Sequence, residues 1–253
     1  MAQPIALVRD SYPKSPAFDT AVARALLLRV STGDVGETFR LHLPARSVAF
    51  GKQDTIAAGY DAAVAAARNA GFEAVERLAG GRAAVFHEGT LAFSWTVPAD
   101  DPVSGIHERF RRMAALLQHA FARLGVMSHV GELPGEYCPG EYSISAGGRK
   151  VMGVGQRLAR NAAHVGGVIV VSDGSLVRSV LVPVYRALGL KWKPETAGSL
   201  QDVAPATTLA VVADAVVGVL GESNEMYPTV LDEATLDLAA DLSDQHRSPA
   251  SGS

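Results

Sequence analysis

Apolar residues recur along the chain at the spacing of helices in some segments and at the spacing of strands in others. Several segments show helical periodicity or alanine-rich helical composition, and glycine follows three of them, at Gly33, Gly71 and Gly125. The helices predicted in this way cover residues 15–28, 60–70, 106–124, 175–188, 209–220 and 231–242. Pro183 lies inside the fourth segment, which therefore predicts two short helices rather than one.

Short apolar runs between these helices predict β-strands. The runs cover residues 39–43, 47–50, 72–75, 83–86, 91–97, 151–156 and 168–171, with a shorter one around Ile144. Glycines separate the three runs between residues 72 and 98, and we expect these runs to be neighbouring strands of one sheet. The segment 131–140 is rich in Gly, Pro and Glu, which predicts an irregular loop between strands.

Composition places the chain among ordinary globular proteins. It has 253 residues, of which 48% are hydrophobic and 19% charged, and its net charge is -3. This balance argues against disorder and against a nucleic-acid binder with a basic face. We expect a single catalytic domain over residues 1–243 and a disordered polar tail over residues 244–253. The N-terminus resembles no signal peptide and no apolar run is long enough for a membrane span, so a cytoplasmic location is expected.

The first candidate motif runs from Arg77 to Gly89 and contains the glycine pair Gly80-Gly81 between two apolar runs. Paired glycines allow a backbone to approach a ligand closely and to direct its N–H groups at that ligand. A hairpin turn needs the same residues without any ligand. The motif alone leaves both interpretations open.

The second candidate is Lys150, which lies among small residues on an otherwise apolar run that includes Gly153 and Gln156. A strand lysine flanked by glycines can lie beside a buried ligand. A lysine that protects an edge strand from aggregation has the same appearance. Spacing alone does not decide between these roles.

The third candidate is Cys138, the only cysteine, which lies in a Gly/Pro-rich loop before the Lys150 strand. A single cysteine excludes internal disulfides and multi-cysteine metal sites, which leaves an inert buried thiol or a reactive one. A loop thiol near a cation is typical of a nucleophile, and the irregular polar loop favours that role. The histidines show no metal-ligand spacing, so no metal site is expected.

Together, and in this order, the three motifs resemble the lipoate and biotin protein ligase superfamily, over about residues 17–203. The resemblance implies an α+β fold, with a mixed or antiparallel sheet, packed helices and a catalytic domain like that of class II synthetases. It also implies that Lys150 is the family's catalytic lysine. The implied acyl-binding residues are Arg77, Gly80, Gly81, His87, Gly89, Gly153 and Gln156. Strand alternation predicts a pocket lined by Val85, Leu91, Val151 and Val168.

Within the superfamily, the segment Tyr-Cys-Pro-Gly at residues 137–140 is similar to that of octanoyltransferases which use the glycine-cleavage carrier protein. The resemblance implies that Cys138 carries the acyl group as a thioester and passes an octanoyl or lipoyl group to a lysine. It implies no cofactor. The implied donors are an acyl carrier protein or a glycine-cleavage H-type protein, and the acceptors are lipoyl-accepting domains of 2-oxoacid dehydrogenases.

Two other functions are compatible with the same residues. His87 is typical of ATP-dependent lipoate-protein ligases, in which Lys150 would contact an acyl-adenylate and ATP with Mg would be required. Arg82 departs from the ligases, because it replaces their third glycine. The remaining alternative is a non-catalytic binding module of the same fold, and the presence of both Cys138 and Lys150 argues against it.

Overall fold

The computed structural model describes residues 4–249 and contains two β-sheets with helices packed on them. The larger sheet has eight strands. In order across the sheet these are β11 (Met226–Thr229), β1 (Ile5–Val8), β2 (Thr38–His42), β6 (Thr90–Pro98), β10 (Ala162–Val170), β9 (Arg149–Ala159), β8 (Ile144–Ala146) and β7 (Ser128–Val130). Strand β1 pairs in parallel with both of its neighbours and the remaining pairs are antiparallel, which confirms the predicted mixed sheet.

The smaller sheet has three strands, in the order β4 (Glu73–Glu76), β3 (Ser47–Phe50) and β5 (Ala84–Phe86). The prediction that the strands between residues 72 and 98 share one sheet is therefore wrong, because β6 belongs to the larger sheet. A tight turn redirects the chain between them: the Thr90 N–H donates to the His87 carbonyl at 2.9 Å, and the His87 N–H donates to Thr90 Oγ1 at 3.1 Å. A change of sheet depends on this turn geometry and leaves no mark in apolar spacing.

Seven α-helices are described, and they cover the two sheets: α1 (Pro16–Thr32), α2 (Lys52–Thr55), α3 (Tyr60–Asn69), α4 (Ile106–Arg123), α5 (Gly174–Ala187), α6 (Leu209–Gly221) and α7 (Glu233–Leu242). Helices α4 and α6 pack on the larger sheet, where Leu117 and Val216 share a core with Phe93. Helices α3 and α5 pack on the smaller sheet through side chains such as Val64 and Leu181. No helix among residues 4–249 combines the length and the hydropathy of a membrane span.

Helix α5 corrects the prediction of two short helices at Pro183. The proline lies inside one continuous helix, although it removes a backbone N–H from the helical hydrogen bonds. Val180, Leu181 and Val184 on either side of it are each at most 1% exposed. Burial of this apolar face stabilises the helix enough to offset the missing hydrogen bond.

The end of the described chain is ordered, contrary to the predicted disordered tail. Residues Ser243–His246 form a 3-10 helix. The Tyr60 hydroxyl donates to Ser248 Oγ at 2.8 Å, and His246 Nδ1 donates to the Glu76 carbonyl at 2.8 Å. The prediction is wrong for residues 244–249, because these contacts tie a polar segment to the smaller sheet and α3, while residues 250–253 lie outside the described residues.

Candidate active site

The loop that carries Cys138 follows strand β7 and is held in an unusual backbone conformation. Cys138 has φ 43°, in the left-handed region that costs a non-glycine residue free energy. Its N–H donates to the Tyr185 hydroxyl at 2.8 Å, and that hydroxyl donates to the Ala83 carbonyl at 3.0 Å. Burial raises the pKa of Tyr185 well above its ordinary value, so the phenol keeps its proton. Helix α5 therefore fixes the loop to the smaller sheet.

The thiol of Cys138 lies against the glycine-rich turn that joins β4 to β5. The Arg82 N–H donates to Sγ at 3.2 Å, and Arg77 Nη1 lies 3.8 Å from Sγ. Gly81 has φ 112°, and a Cβ atom there would lie 2.8 Å from Sγ and 3.1 Å from Arg77 Nη1. This turn therefore presents a backbone N–H and a guanidinium to the thiol at a point where only glycine fits.

Lys150 approaches the same loop from strand β9. Its ammonium group donates to the carbonyl oxygens of Tyr137 at 3.1 Å and Cys138 at 2.7 Å, and to Glu136 Oε1 at 3.0 Å. The side chains of Lys150 and Glu136 are 1% and 0% exposed. Three protons thus meet three acceptors, and the pair is buried.

Glu136 is a buried residue of the site that the sequence motifs did not single out. Besides Lys150, its carboxylate accepts hydrogen bonds from Ser143 Oγ at 2.6 Å, from the Gly140 N–H at 3.1 Å and from the Leu133 N–H at 3.2 Å. These bonds close the loop on itself around the carboxylate. The signal in the sequence was a carboxylate two residues before the lone cysteine, but nothing there showed that it would be buried.

A small cavity of about 20 Å³ lies beside these groups and brings several predicted residues together. Its lining includes Arg77, Cys138, Lys150 and Gly153. Gly153 leaves room for the lysine, since a Cβ atom there would lie 3.3 Å from Lys150 Cε. Gly80 belongs to the turn between β4 and β5, and its carbonyl oxygen would lie 3.0 Å from a Cβ atom on Gly155 of strand β9.

Other predicted site residues have structural partners elsewhere. Gln156 Oε1 accepts from Arg109 Nε at 2.7 Å, and its Nε2 donates to the Ile106 carbonyl at 3.2 Å, which ties strand β9 to helix α4. His87 is fully buried, and its Nδ1 accepts from the Gly89 N–H at 3.0 Å within the turn between β5 and β6. Burial lowers the pKa of His87, so the ring is neutral.

A larger cavity of about 110 Å³ adjoins the small one, since Arg77, Phe86 and Gly167 line both. Gly167 is required at this junction, because a Cβ atom there would lie 1.9 Å from the Gly153 carbonyl oxygen. The larger cavity extends between helix α1 and strands β2, β6 and β10. An extended ligand bound at the thiol would therefore lie next to the larger cavity.

The prediction of the residues that line the acyl pocket is partly wrong. Val168 lines the small cavity, and Phe86 and Ala92 line the larger one. The remaining predicted residues lie in the hydrophobic cores: Val85, Leu91 and Val151. Successive strand side chains face opposite sides, so an error of one residue in register exchanges the cavity face for the core face.

Two arginines lie close to the thiol. Arg77 and Arg82 both belong to the turn beside Sγ, and Arg82 pairs with the buried carboxylate of Asp54 at 3.2 Å. Burial raises the pKa of Tyr137, whose ring lies 5.0 Å from the Lys150 ammonium. No group of three or more His, Cys, Asp or Glu side chains within residues 4–249 is arranged to hold a metal ion.

This chain is similar in sequence and in fold to known proteins. Residues 15–220 match the lipoyl protein ligase A/B catalytic domain family. The octanoyl-GcvH:protein N-octanoyltransferase of Geobacillus kaustophilus is 30% identical over 85% of this chain and 76% of its own length. The lipoyl-GcvH:protein N-lipoyltransferase of Listeria monocytogenes is 26% identical over 77% and 75%.

Solved structures agree on the fold. A lipoate-protein ligase A bound with ATP superimposes with a TM-score of 0.79 at 21% identity, over 96% of this chain and 95% of that one. A bi-partite lipoate protein ligase from Thermoplasma acidophilum gives 0.74 at 18% identity, over 96% and 93%. These matches confirm the expected α+β catalytic fold. On the family match and the 30% identity together, the chain belongs to the lipoyl protein ligase A/B catalytic domain family.

Proposed function

We propose that this chain is an acyltransferase that moves an octanoyl or lipoyl group from a carrier protein to a lysine of a lipoyl-accepting domain through a Cys138 thioester. The observation that carries the proposal is the position of the Cys138 thiol. It lies 3.2 Å from the Arg82 backbone nitrogen and 3.8 Å from Arg77 Nη1, and Cys138 lines a small cavity that adjoins a larger one. The similarity to curated octanoyl- and lipoyltransferases supports the same activity.

In the first half-reaction the Cys138 thiolate attacks the carbonyl carbon of the acyl group on the carrier. The new C–S bond forms while the bond from that carbon to the carrier breaks, and the carrier's amine or thiol leaves with the proton that the Cys138 thiol lost when it ionised. Negative charge develops on the acyl oxygen during this step. The Arg82 N–H and the Arg77 guanidinium are the donors nearest the sulfur, and we assign them to that charge.

In the second half-reaction the amine of an acceptor lysine attacks the thioester carbonyl. The C–N bond forms, the C–S bond breaks, the amine loses a proton and the Cys138 thiolate is restored. Because the acyl group is already bound to the carrier as an amide or a thioester, its transfer to a lysine amine needs no nucleotide hydrolysis. We therefore propose that no cofactor is required.

Lys150 and Glu136 serve this chemistry by holding the loop. All three ammonium protons of Lys150 are engaged, two of them with the carbonyl oxygens of Tyr137 and Cys138. In this arrangement the lysine positions the nucleophile, and contact with the acyl carbonyl requires that one of these bonds be exchanged when substrate binds.

The names of the curated relatives point to a GcvH-type protein as the carrier of the acyl group. We propose the same donor here, with lipoyl domains of 2-oxoacid dehydrogenases as acceptors and an acyl carrier protein as the alternative donor. We place the reaction in the cytoplasm, where a lone thiol stays reduced. Neither a nucleic acid nor a membrane is part of the proposal.

An ATP-dependent lipoate ligase is the second candidate, and one observation favours it. A lipoate-protein ligase with bound ATP shares this fold over 95% of its length. In that reaction ATP with Mg would activate the free acid, Lys150 would contact the acyl-adenylate and Cys138 would be dispensable.

One experiment separates transferase, ligase and non-catalytic module. The purified protein is incubated with an octanoylated GcvH-type carrier without ATP, and its intact mass is measured with and without hydroxylamine. We expect a hydroxylamine-labile octanoyl adduct that is absent in Cys138→Ala and absent when the carrier lacks the acyl group. ATP-dependent transfer from free octanoate that survives Cys138→Ala would establish the ligase instead. A protein that binds the carrier without any transfer would be a module.

A further inference from the structure

Asp54 is a fully buried carboxylate next to the glycine-rich turn between β4 and β5. It belongs to α2, the short helix that follows strand β3, and its side chain is 0% exposed. A buried carboxylate loses its hydration, so it needs hydrogen bonds and an opposite charge in compensation. Each of the two oxygens of Asp54 has one partner, and the two partners lie on different turns.

The carboxylate joins these two turns. Oδ2 of Asp54 accepts a hydrogen bond from the Gly51 N–H at 2.9 Å, which closes the turn between β3 and α2. Oδ1 accepts from Arg82 Nη1 at 3.2 Å, and the Arg82 side chain is 30% exposed. Asp54 therefore ties the β3–α2 turn to the residue whose backbone N–H donates to Cys138 Sγ.

The peptide between Gly81 and Arg82 is held at further points. A Cβ atom on Gly51 would lie 1.7 Å from the Gly81 carbonyl oxygen, so the backbone of Gly51 packs directly against this peptide. Arg77 Nη1 donates to the Arg82 carbonyl at 3.1 Å. The N–H of the same peptide is the one that donates to the sulfur at 3.2 Å. Its direction therefore depends on the β3–α2 turn that Asp54 closes.

We infer that Asp54 is a positioning residue for acyl transfer: by binding the Arg82 guanidinium and the Gly51 N–H, it holds the Arg82 N–H in the direction of the reacting sulfur. The inference rests on the proposed function and adds a residue to it. Asp54 lines neither the small cavity nor the larger one, so it acts through Arg82 and not by contact with the acyl group.

Stability alone is a weak reason for a carboxylate in this place. A buried ion pair contributes little to stability in comparison with apolar packing, because burial removes the hydration of both charges. Catalysis is far more sensitive to position, since a displacement of about 1 Å can lower a rate about 100-fold. Donors to a developing oxyanion act best when they are in place before the charge forms. Loss of Asp54 should therefore slow the chemical step more than it weakens binding of the carrier.

Asp54→Asn tests the inference, because asparagine has nearly the same shape but carries no charge and has one acceptor oxygen instead of two. The rate of Cys138 thioester formation is measured at increasing concentrations of an octanoylated GcvH-type carrier. We expect the maximal rate to fall about 30-fold, with the half-saturating carrier concentration within about twofold of wild type. A loss of maximal rate below about fivefold in the folded variant would overturn the inference. Absence of a thioester in the wild type would instead refute the proposed function.

Asp202→Asn is the matched control. Asp202 also accepts from the N–H of the residue before a short helix, Ser199, at 3.0 Å, and it also pairs with an arginine, Arg149, at 3.2 Å. Neither Asp202 nor Arg149 lines the small cavity beside the thiol. The variant should therefore keep the wild-type maximal rate within about twofold. An equal loss of rate in Asp202→Asn would show that any such ion pair has this effect, and it would overturn the specific role of Asp54.

Arg82→Met breaks the same ion pair from its more exposed side and keeps the backbone N–H, so it tests the inference even if Asp54→Asn does not fold. We expect a similar loss of maximal rate, and no further loss in Asp54→Asn/Arg82→Met, because both changes remove one contact. A wild-type maximal rate in folded Arg82→Met would overturn the inference. Losses that multiply in the double variant would also overturn it, because the two side chains would then act separately.

Discussion

Replacing Lys150 with methionine tests the buried network behind the nucleophile. The substitution keeps an unbranched side chain of similar length and removes the charge and three hydrogen bonds, to Glu136, Tyr137 and Cys138. The Glu136 carboxylate, whose side chain is 0% exposed, then loses its countercharge. It keeps only the bonds from Ser143 Oγ and two backbone N–H groups.

The magnitude follows from the cost of an uncompensated buried charge. Removing one partner of a buried ion pair typically costs about 3–5 kcal/mol, and we expect Lys150→Met to lower the free energy of unfolding by that amount. Replacing both partners removes the uncompensated buried charge. The double variant Glu136→Gln/Lys150→Met should therefore be more stable than the sum of the single losses predicts, by about 2 kcal/mol.

Urea unfolding followed by tryptophan fluorescence measures these values, and Trp192 reports the loop because its ring centroid lies 5.8 Å from that of Tyr137. Lys191→Met is the control, since Lys191 is exposed in the same region, and it should change stability by less than about 0.5 kcal/mol. A loss below about 1 kcal/mol for Lys150→Met, or simple additivity in the double variant, would refute the idea that this pair supports the nucleophile loop.

Three further predictions follow from single contacts. Gly81→Ala places a methyl 2.8 Å from Cys138 Sγ at φ 112° and should slow single-turnover thioester formation about 100-fold, whereas Gly36→Ala, which meets open space, should not. Tyr185→Phe leaves the Cys138 N–H without its acceptor and should cost about 1–3 kcal/mol in unfolding free energy, with slower acylation; an unchanged midpoint in urea would contradict it. Burial lowers the pKa of His164 from 6.5 to about 4, so the unfolded state binds more protons between these values. The contribution of the neutral His164 ring to the free energy of unfolding should be present above pH 6.5 and fall by about 3 kcal/mol toward pH 4. In His164→Gln the free energy of unfolding should depend less on pH over this range.

Local sequence signals determined most of the secondary structure. Helix α1 begins at Pro16 and is capped by Gly33, which adopts φ 82°, and strand β3 covers the residues that its apolar run predicted. These elements were predictable because their boundaries depend on neighbouring residues. Strands β1, β7 and β11 were missed, because all three are short and are held by pairing with segments outside their own neighbourhood in the chain.

Tertiary packing decided the remainder of the fold. Pro183 is helical because its neighbours are buried, and the smaller sheet separates from β6 because the turn at His87 redirects the chain. The last described residues are ordered through Tyr60 and Glu76, which lie more than a hundred residues earlier. None of these contacts has a signature in local periodicity.

The candidate site divides in the same way. The sequence by itself singled out Cys138, Lys150 and the glycine pair before Arg82, because a lone thiol, a strand lysine and paired glycines are chemically distinctive wherever they occur. Only the tertiary structure showed that Tyr185 fixes the loop and that Glu136 lies buried against Lys150. Burial and hydrogen-bond partners arise when distant segments pack together, so the same residue types would have been surface groups in another fold.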